Sequence, residues 1–201
     1  MKVAHPPLIL ASSSRYRREL LERFRLSFLV ISPEVDESPL AGETPRDLAL
    51  RLALAKARAV FHQHPDSIII GSDQAASLHH RPLGKPGNAQ AARAQLRSLS
   101  GQTVVFHTAL TVLSGDSAQT VEVPTTCVFR ELSDAAIDRY VAIDNPLDTA
   151  GSAKAESLGI ALMQSMRSDD PTAIIGLPLI ALARLLAAVG LDPLNAARIP
   201  T

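Results

Sequence analysis

The sequence predicts an α/β protein built on a mixed, twisted β-sheet that helices flank. In the first half of the chain, short apolar runs such as 8–11 and 67–70 alternate with helical segments. In the second half, two long strand candidates follow one another across a Ser-Gly-Asp-Ser turn at 114–117. Alternation followed by consecutive strands indicates a mixed sheet. With 201 residues, of which 46% are hydrophobic, the chain can form one domain, or one domain with two lobes.

The first half gives clear local signals for each element. Thr44-Pro45 marks a helix start, because threonine can cap a helix N-terminus and proline suits the first helical position. The predicted elements are a strand over 8–11, a helix over 17–24, a strand over 28–31, a helix from Pro45 to about residue 63 and a strand over 67–70.

The second half begins with a hairpin over 75–86, in which His79 and His80 are expected on opposite faces of a strand. Asn88 and Ser133 are expected to cap two further helices. The predicted elements are a helix ending near 99, strands over 103–113 and 120–129, a helix to about 143, a loop over 145–159, a strand over 160–163 and a last helix from 176–178 to about 189.

Composition excludes several classes of function. Twenty acidic and twenty basic residues cancel, which argues against a general nucleic-acid or membrane-surface role. The single cysteine, Cys127, excludes an internal disulfide and is expected to be a buried small hydrophobe. The first apolar run is too short for a signal peptide, and glycine, proline and arginine interrupt the apolar stretch 174–191. A cytoplasmic protein is therefore expected.

The stretch 8–18, LILASSSRYRR, has the pattern of an anion-binding site. A buried strand runs into three serines and then into a helix whose first turns carry Arg15, Arg17 and Arg18. A helix N-terminus offers unpaired backbone N–H groups to an anion, and its dipole disfavours arginine unless something negative lies nearby. A polyphosphate would account for the three arginines. The alternative is a serine N-cap beside solvated arginines.

Acidic residues at two places could carry chemistry. Asp73 follows three isoleucines at the end of a predicted strand, where ligands collect in α/β sheets; alternatively it closes the strand as an Asx-turn residue. Glu34, Asp36 and Glu37 form an acidic loop. Carboxylates near a polyphosphate suit Mg²⁺ or Mn²⁺, although such triplets are also common as solvated loops.

Two lysines are candidates for neutralising phosphate charge. Lys56 lies in an alanine-rich helix, which suggests that its stem is packed and its ammonium is directed at a specific partner. Lys85 stands in the rigid turn Gly84-Lys85-Pro86. Either could instead be an ordinary surface lysine.

Together these motifs resemble the Maf family of nucleoside triphosphate pyrophosphatases, from Leu8 to about Leu194. The matching stretches are LILASSSRYRRELL, PEVDE, the lysine of ALAKARA, IIIGSDQ, LGKP, Ser100-Gly101, AGSAKAESLG and GLPL. The resemblance implies a single Maf-like domain over 1–201, with an ordered core over about 7–194 and two lobes around a central cleft, as in ITPase-like proteins.

The resemblance also implies an activity, the hydrolysis of a nucleoside triphosphate between its α- and β-phosphates. Asp73 matches the family's general base, which activates water directly or through a divalent cation, Mg²⁺ or Mn²⁺. Asp73, Lys56 and Lys85 are the implied catalytic residues, and Glu37 and Asp73 the implied metal ligands. The phosphate and metal contacts of the family map onto Ser12, Arg17, Glu37, Lys56 and Lys85.

Within the family, three positions are similar to the subgroup that acts on N7-methyl-GTP: Tyr16, Gln74 and Glu156. The subgroup that prefers dTTP and UTP carries arginine, threonine and glutamine there. A methylated guanine bears a positive charge, which suits an aromatic face and a carboxylate. The 7-methyl-GTP subgroup usually has tryptophan in place of Tyr16 and proline in place of Arg15. Because tyrosine attracts a cationic base less strongly than tryptophan, selectivity for the base is expected to be looser. Arg15 has no assigned role.

Two alternatives and one assembly state stay open. The same chemistry could serve a broader range of nucleotides, including dTTP and UTP. A non-catalytic regulator is the other class, since the family name comes from an association with inhibition of septum formation. The apolar C-terminal helix and the family both suit a homodimer.

Overall fold

The computed structural model describes residues 5–197, and a mixed β-sheet forms its centre. Within those residues the sheet has seven strands: β1 (Leu8–Ala11), β2 (Leu29–Ile31), β3 (Ile68–Leu78), β4 (Arg81–Leu83), β5 (Thr103–Ser114), β6 (Ser117–Phe129) and β7 (Met163–Arg167). Six of them follow the order β2-β1-β3-β5-β6-β7, and β4 pairs with β3 beside this row. The pairs among β1, β2 and β3 are parallel, and the others are antiparallel. The predicted mixed sheet is confirmed.

Helices flank the sheet, as predicted. They are α1 (Arg15–Glu22), α2 (Pro45–Phe61), α3 (Ala89–Leu99), α4 (Asp134–Asp144), α5 (Leu179–Ala188) and α6 (Pro193–Ala196). Thr44, Asn88 and Ser133 each cap a helix by accepting a hydrogen bond from a backbone N–H in its first turn. In residues 5–197, no helix has both the length and the apolar character that crossing a membrane requires.

Alternating side chains of β3 supply two separate cores on the two faces of the sheet. Ile68 and Ile70 pack with Leu182 of α5 on one face, whereas Ile69 packs with Val60 of α2 on the other. Leu182, Leu185 and Leu186 of α5 lie inside this core, whereas Ile180 is 61% exposed, so the homodimer that the composition of this helix suggested stays a prediction.

A third core lies under α3 and α4, against the far halves of β5 and β6. Leu96 and Tyr140 of the helices meet Phe106 and Phe129 of the strands there. Cys127 belongs to this core and is fully buried, as predicted. Burial raises the pKa of its thiol to about 12, so it stays protonated at neutral pH.

Strand β3 is longer than its sequence indicates, and this changes the position of Asp73. The prediction ended the strand at Ile70, but pairing with β5 continues through Gly71-Ser72-Asp73-Gln74 to Leu78. Asp73 lies opposite Ala109, inside the strand and not beyond its end. Glycine and aspartate are poor strand formers, so the long ladder with β5 accounts for this extension.

Other local predictions were also wrong. Helix α1 begins at Arg15, not at residue 17, because Ser14 is its N-cap. Leu158–Leu162 forms a 3₁₀ turn, and strand β7 begins only at Met163, where pairing with β6 starts. His79 and His80 do not lie on a strand: both have left-handed backbone angles, with φ of 48° and 66°, and form the two-residue turn between β3 and β4.

A gap in the sheet opens a cleft beside β3. Strand β1 pairs with β3 only as far as Gly71, and β4 pairs with it only from Ala76 onwards. On that side, residues 72–75 of β3 meet no strand among the described residues, whereas β5 covers their other side without interruption. Ligands collect where neighbouring strands of an α/β sheet part in this way. The segments that follow β1 and β4 form the two rims of the gap.

Helix α2 approaches β3 very closely at Gly71. A Cβ atom at this position would overlap the Ala53 carbonyl oxygen and lie 2.8 Å from the Ala57 nitrogen. The alanines at 53 and 57 keep the helix surface flat there, so the backbones of helix and strand meet. The contact fixes the height of α2 above the strand, and with it the position of every side chain that α2 sends towards the cleft.

Replacing Gly71 with alanine is therefore expected to destabilise the protein by about 2–3 kcal/mol, because the added methyl group forces α2 away from β3. Urea unfolding followed by circular dichroism measures the change. Gly84→Ala is the matched control, since no atom lies within 4 Å of a Cβ at Gly84 and its backbone needs no positive φ. Equal stability of the two variants would contradict the close approach.

Candidate active site

A cleft of about 740 Å³ occupies the gap beside β3, within the range of small-molecule sites. Every site residue predicted from the sequence lines it: Ser12, Tyr16, Arg17, Glu37, Lys56, Asp73, Gln74, Lys85 and Glu156. Arg15, Asp148 and the turn 174–176 complete the walls. Residues that are far apart in the chain thus share one cavity.

Lys56 links the two acidic residues of the cleft. Its Nζ atom lies 2.6 Å from Asp73 Oδ1 and 2.6 Å from Glu37 Oε1. The lysine side chain is only 7% exposed, as expected for a packed stem in the alanine-rich face of α2. The hydrogen bond from Lys56 holds the pKa of Glu37 below its usual range, and the charges of Lys85 and Arg17 act in the same direction.

Ser12 and Arg17 form the rim that follows β1. Arg17 donates from Nε to the Gly176 carbonyl at 2.8 Å, and its Nη1 lies 3.5 Å from Ser12 Oγ. Burial lowers the pKa of Arg17, while the charges of Asp73 and Glu37 raise it. A guanidinium stays protonated under such a shift, so Arg17 brings a positive charge to the acidic pair.

The same rim presents the N-terminus of α1 to the cleft. Ser14 caps the helix by accepting a hydrogen bond from the Arg17 N–H. No acidic residue stands in the first turn. Among the described residues, the backbone N–H groups of Ser13, Arg15 and Tyr16 have no hydrogen-bond acceptor. Free N–H groups and a positive helix end make this rim suitable for an anion, and Ser14 is at the same time the serine N-cap of the alternative interpretation, so anion binding here stays a prediction.

Lys85 comes from the opposite rim, after β4. It is exposed, and within residues 5–197 its ammonium forms no hydrogen bond or ion pair. Its charge nevertheless contributes to the lowered pKa of Glu37 across the cleft. The positive groups therefore approach the acidic pair from three sides: Arg17 from α1, Lys56 from α2 and Lys85 from the loop after β4.

The side-chain amide of Gln74 is hydrogen-bonded to other protein groups, so few of its polar atoms are available to a ligand. Its Nε2 donates to Thr108 Oγ1 at 2.8 Å and to the carbonyls of Ala173 and Ile174 at 3.0 Å. Because the amide has only two N–H groups, a nucleotide could reach only the Oε1 oxygen. The predicted base contact is thus geometrically restricted, and Gln74 mainly joins β3 to the turn after β7.

That turn is itself fixed by Asp170, which is 2% exposed. Its carboxylate accepts hydrogen bonds from the backbone N–H groups of Ile180 and Ala181 and from both N–H and hydroxyl of Thr172. It therefore caps α5, whose own N-cap position is occupied by Pro178. The cap holds the carbonyls that Gln74 and Arg17 use.

A second part of the cleft lining consists of Arg15, Tyr16, Asp148 and Glu156, and the charge of Asp148 acts on both Arg15 and Glu156. Partial burial of the Glu156 carboxyl group raises its pKa. A hydrogen bond from its own backbone N–H and the charge of Lys154 lower the pKa by smaller amounts, and the charges of Asp144 and Asp148 add small increases. The Arg15 guanidinium carbon lies 4.7 Å from the centre of the Tyr16 ring. This part combines an aromatic ring with two carboxylates.

Lys154 supports the loop that carries these carboxylates. Its Nζ donates to the carbonyls of Asp144 and Asn145 at the end of α4 and lies 3.3 Å from Asp148 Oδ1. Its backbone N–H donates to the Tyr140 hydroxyl. A buried lysine at a helix C-terminus satisfies the last carbonyls, and here it also fixes Asp148 beside the cleft.

The donor set of the cleft fits a magnesium-type cation but not an all-protein cage. Glu37 and Asp73 are hard carboxylates on adjacent walls, and the described residues contain no group of three or more potential ligands. Mg²⁺ is commonly held by one or two carboxylates together with substrate phosphates and water. Glu34 and Asp36 do not line the cleft, and Asp36 accepts a hydrogen bond from the Ser38 N–H instead.

Sequence reasoning missed several residues that shape the site. Asp148 lines the cleft, but in the sequence it is one acid in a long loop. Thr108 holds Gln74 and lies directly opposite it in the β3–β5 ladder. The register of the two strands was the only signal for Thr108, and it could not be read from either strand alone.

Comparison with known proteins identifies relatives over nearly the whole chain. The protein-family model described as Maf-like protein matches residues 7–189. A 7-methyl-GTP pyrophosphatase of Bordetella pertussis is 63% identical over 195 residues, which cover 97% of this chain and 98% of that protein. A 7-methyl-GTP pyrophosphatase of Cupriavidus pinatubonensis is 54% identical over 187 residues, covering 92% and 94%.

One more relative and one solved structure extend the comparison. A 7-methyl-GTP pyrophosphatase of Thiobacillus denitrificans is 54% identical over 192 residues, covering 94% of this chain and 96% of that protein. The structure of the Staphylococcus aureus Ham1 protein is 14% identical, with a TM-score of 0.45, and the match covers 62% of this chain and 72% of that one.

The buried ion pair leads to a prediction about stability. Lys56→Met is expected to lower the free energy of unfolding by about 2–4 kcal/mol, because it leaves the Asp73 carboxylate buried without the ammonium. Chemical denaturation measures this. The double variant Lys56→Met/Asp73→Asn should recover part of the loss, since it removes both charges.

Lys85→Met is the matched control, because Lys85 lines the same cleft but is exposed. Its stability should stay within about 0.5 kcal/mol of the wild type. If Lys56→Met were as stable as this control, the ion pair between Lys56 and Asp73 would not contribute to the free energy of unfolding as predicted.

Proposed function

This chain belongs to the Maf family, and we propose that it is a nucleoside triphosphate pyrophosphatase that hydrolyses 7-methyl-GTP to 7-methyl-GMP and pyrophosphate. The observation that carries the proposal is that all the predicted site residues line one cleft of nucleotide size. Identity of 54–63% to relatives named for this activity supports the substrate.

Charge divides the cleft into two parts that fit the two ends of a nucleotide. Arg17, Lys56 and Lys85 surround the acidic pair. These cations and the α1 N-terminus would bind the triphosphate and stabilise the charge that builds on the leaving pyrophosphate. The other part, with Tyr16 and Glu156, would receive the base. Both parts meet along one turn of α1, because Tyr16 and Arg17 are consecutive residues.

Asp73 is the proposed general base. Lys56 occupies its Oδ1 oxygen at 2.6 Å, so the Oδ2 oxygen is the one that would take a proton from the attacking water. Lys56 keeps the carboxylate in one orientation, since helix α2 is fixed at Gly71. Hydrolysis of the α–β anhydride then releases pyrophosphate among the three cations.

Glu37 and Asp73 are the residues that would hold a divalent cation, Mg²⁺ or Mn²⁺, together with the substrate phosphates. When bound, such a cation supplies charge neutralisation at the phosphate oxygens and lowers the pKa of water. Lys56 would then share the two carboxylates with the cation.

Selection of the base is proposed to rest on Tyr16 and Glu156. A methylated guanine carries a delocalised positive charge, which an aromatic ring face and a carboxylate both attract. The Glu156 carboxylate could also accept hydrogen bonds from the N1–H and the exocyclic amine. Tyrosine attracts a cation less strongly than tryptophan, so selectivity over unmethylated nucleotides is expected to be moderate.

The test of the activity compares the wild type with Asp73→Asn. The wild type should release pyrophosphate and 7-methyl-GMP from 7-methyl-GTP in the presence of Mg²⁺ or Mn²⁺, and Asp73→Asn should lower kcat by about 10²- to 10⁴-fold. Nucleotide products are separated by chromatography, and pyrophosphate is measured with a coupled assay.

Binding of 7-methyl-GTP to the same variant shows whether the cleft is intact. Retained binding with lost turnover supports the role of Asp73 as base. Undiminished turnover would contradict that role. If wild-type protein cleaved no nucleotide and its effect on septum formation survived Asp73→Asn, a non-catalytic regulator would replace the enzyme.

Glu156 predicts the pH dependence of substrate choice. Because its pKa is raised, Glu156 takes up a proton at a higher pH than an ordinary glutamate, and the carboxylate is present only above that pKa. The preference for 7-methyl-GTP over UTP should therefore fall as the pH is lowered. In Glu156→Gln the preference should be weaker by about ten- to a hundredfold and should not change with pH over this range.

Measuring kcat/KM on 7-methyl-GTP, GTP, dTTP and UTP across pH provides the readout. Glu22→Gln is a suitable control, since Glu22 lies on α1, pairs with Arg18 and does not line the cleft. Equal turnover of all four nucleotides by the wild type would favour the broader pyrophosphatase instead.

A further inference from the structure

Among the described residues, Arg15 lines the cleft and contacts Tyr16, which belongs to the proposed base-binding part. Its Nη2 donates to the Tyr16 hydroxyl at 2.9 Å, and its guanidinium carbon lies 4.7 Å from the centre of the same ring. One residue thus contacts both the polar tip and the π-face of Tyr16. The guanidinium is held against one face of the ring.

The electrostatic surroundings of Arg15 differ from those of Arg17. Tyr16 has the largest effect on the pKa of Arg15 and raises it, and the carboxylate charges of Glu19 and Asp148 add smaller increases. The carboxylates that act on the pKa of Arg17 are instead Asp73 and Glu37. Arg17 is tied to Gly176 and Ser12. Arg15 is therefore placed at the mouth near the base, and Arg17 near the phosphates.

An arginine on Tyr16 has a consequence for a cationic base. If the base stacks on the other face of the ring, the two positive charges are separated by only about 8 Å, the sum of 4.7 Å on one side and a stacking distance on the other. Arg15 is exposed, so solvent weakens this repulsion but does not remove it. A neutral guanine experiences no such charge repulsion.

We propose that Arg15 is a specificity-determining residue that reduces the preference of the enzyme for a cationic purine over a neutral one. The inference rests on the proposed function. Asp148 and Glu156 attract the positive base, and Arg15 opposes them. The selectivity of the cleft is the balance of these charges around one tyrosine ring.

The experiment measures kcat/KM for 7-methyl-GTP and for GTP in Arg15→Gln. Removing the charge should raise the ratio of kcat/KM for 7-methyl-GTP to kcat/KM for GTP about three- to tenfold. Most of this change should come from a higher kcat/KM for 7-methyl-GTP. Arg15→Lys keeps the charge, so its ratio should stay within about twofold of the wild type. Because the arginine is exposed, the effect of Arg15→Gln should shrink as ionic strength increases.

Arg18→Gln is the matched control. Arg18 lies three residues further along α1, pairs with Glu22 at 3.0 Å and does not line the cleft. Its removal changes the net charge of the helix equally and should leave the ratio unchanged.

Four results would overturn the proposal. They are an unchanged or lower ratio in Arg15→Gln, an equal rise in Arg15→Lys, an equal rise in Arg18→Gln, or an equal loss of kcat/KM on both nucleotides, which would assign Arg15 to the phosphates. A wild type that cleaves neither nucleotide would instead overturn the proposed function itself, and the inference with it. The two failures are therefore distinguishable.

Discussion

The contact between α2 and β3 at Gly71 is the constraint on which the site depends. With no side chain at this position, and only alanines facing it, helix and strand approach to backbone distance. Two residues further along the strand, Asp73 then meets Lys56, which lies between the two alanines of the helix. A larger residue at 71 would lift the lysine from both carboxylates. The buried ion pair is thus a consequence of packing, and a buried charge pair needs such fixed geometry to be tolerated.

The gap along β3 explains why residues from distant segments converge. Because β1 pairs with β3 only as far as Gly71 and β4 pairs with it only from Ala76, the segments after β1 and β4 face each other across four residues of open β3 edge. One rim brings Ser12 and Arg17, and the other brings Lys85. A backbone edge exposed on one side is costly unless water or a ligand satisfies it, and a cleft that admits both is a natural outcome of this topology.

Two buried polar groups keep the far walls in place without contacting the proposed substrate. Asp170 caps α5 and holds the turn whose carbonyls fix Gln74 and Arg17. Lys154 caps α4 and fixes the loop of Asp148. The cleft therefore rests on helix ends on both sides. Charge then differs along its length, positive around the acidic pair and largely acidic around Tyr16, which matches the opposite charges of a triphosphate and a methylated base.

The sequence by itself determined the strand and helix alternation, the helix caps at Thr44, Asn88 and Ser133, and nine of the residues that line the cleft, because hydrophobic period, capping chemistry and short motifs are local signals. Only the tertiary structure decided that β3 continues through Asp73, that Thr108 and the carbonyls after Asp170 hold Gln74, and that Arg15 lies on Tyr16. These depend on strand pairing and on side-chain orientation across space. Local sequence patterns do not encode either of them. Pairing with a distant strand can hold residues in a β-strand even where their own strand propensity is low.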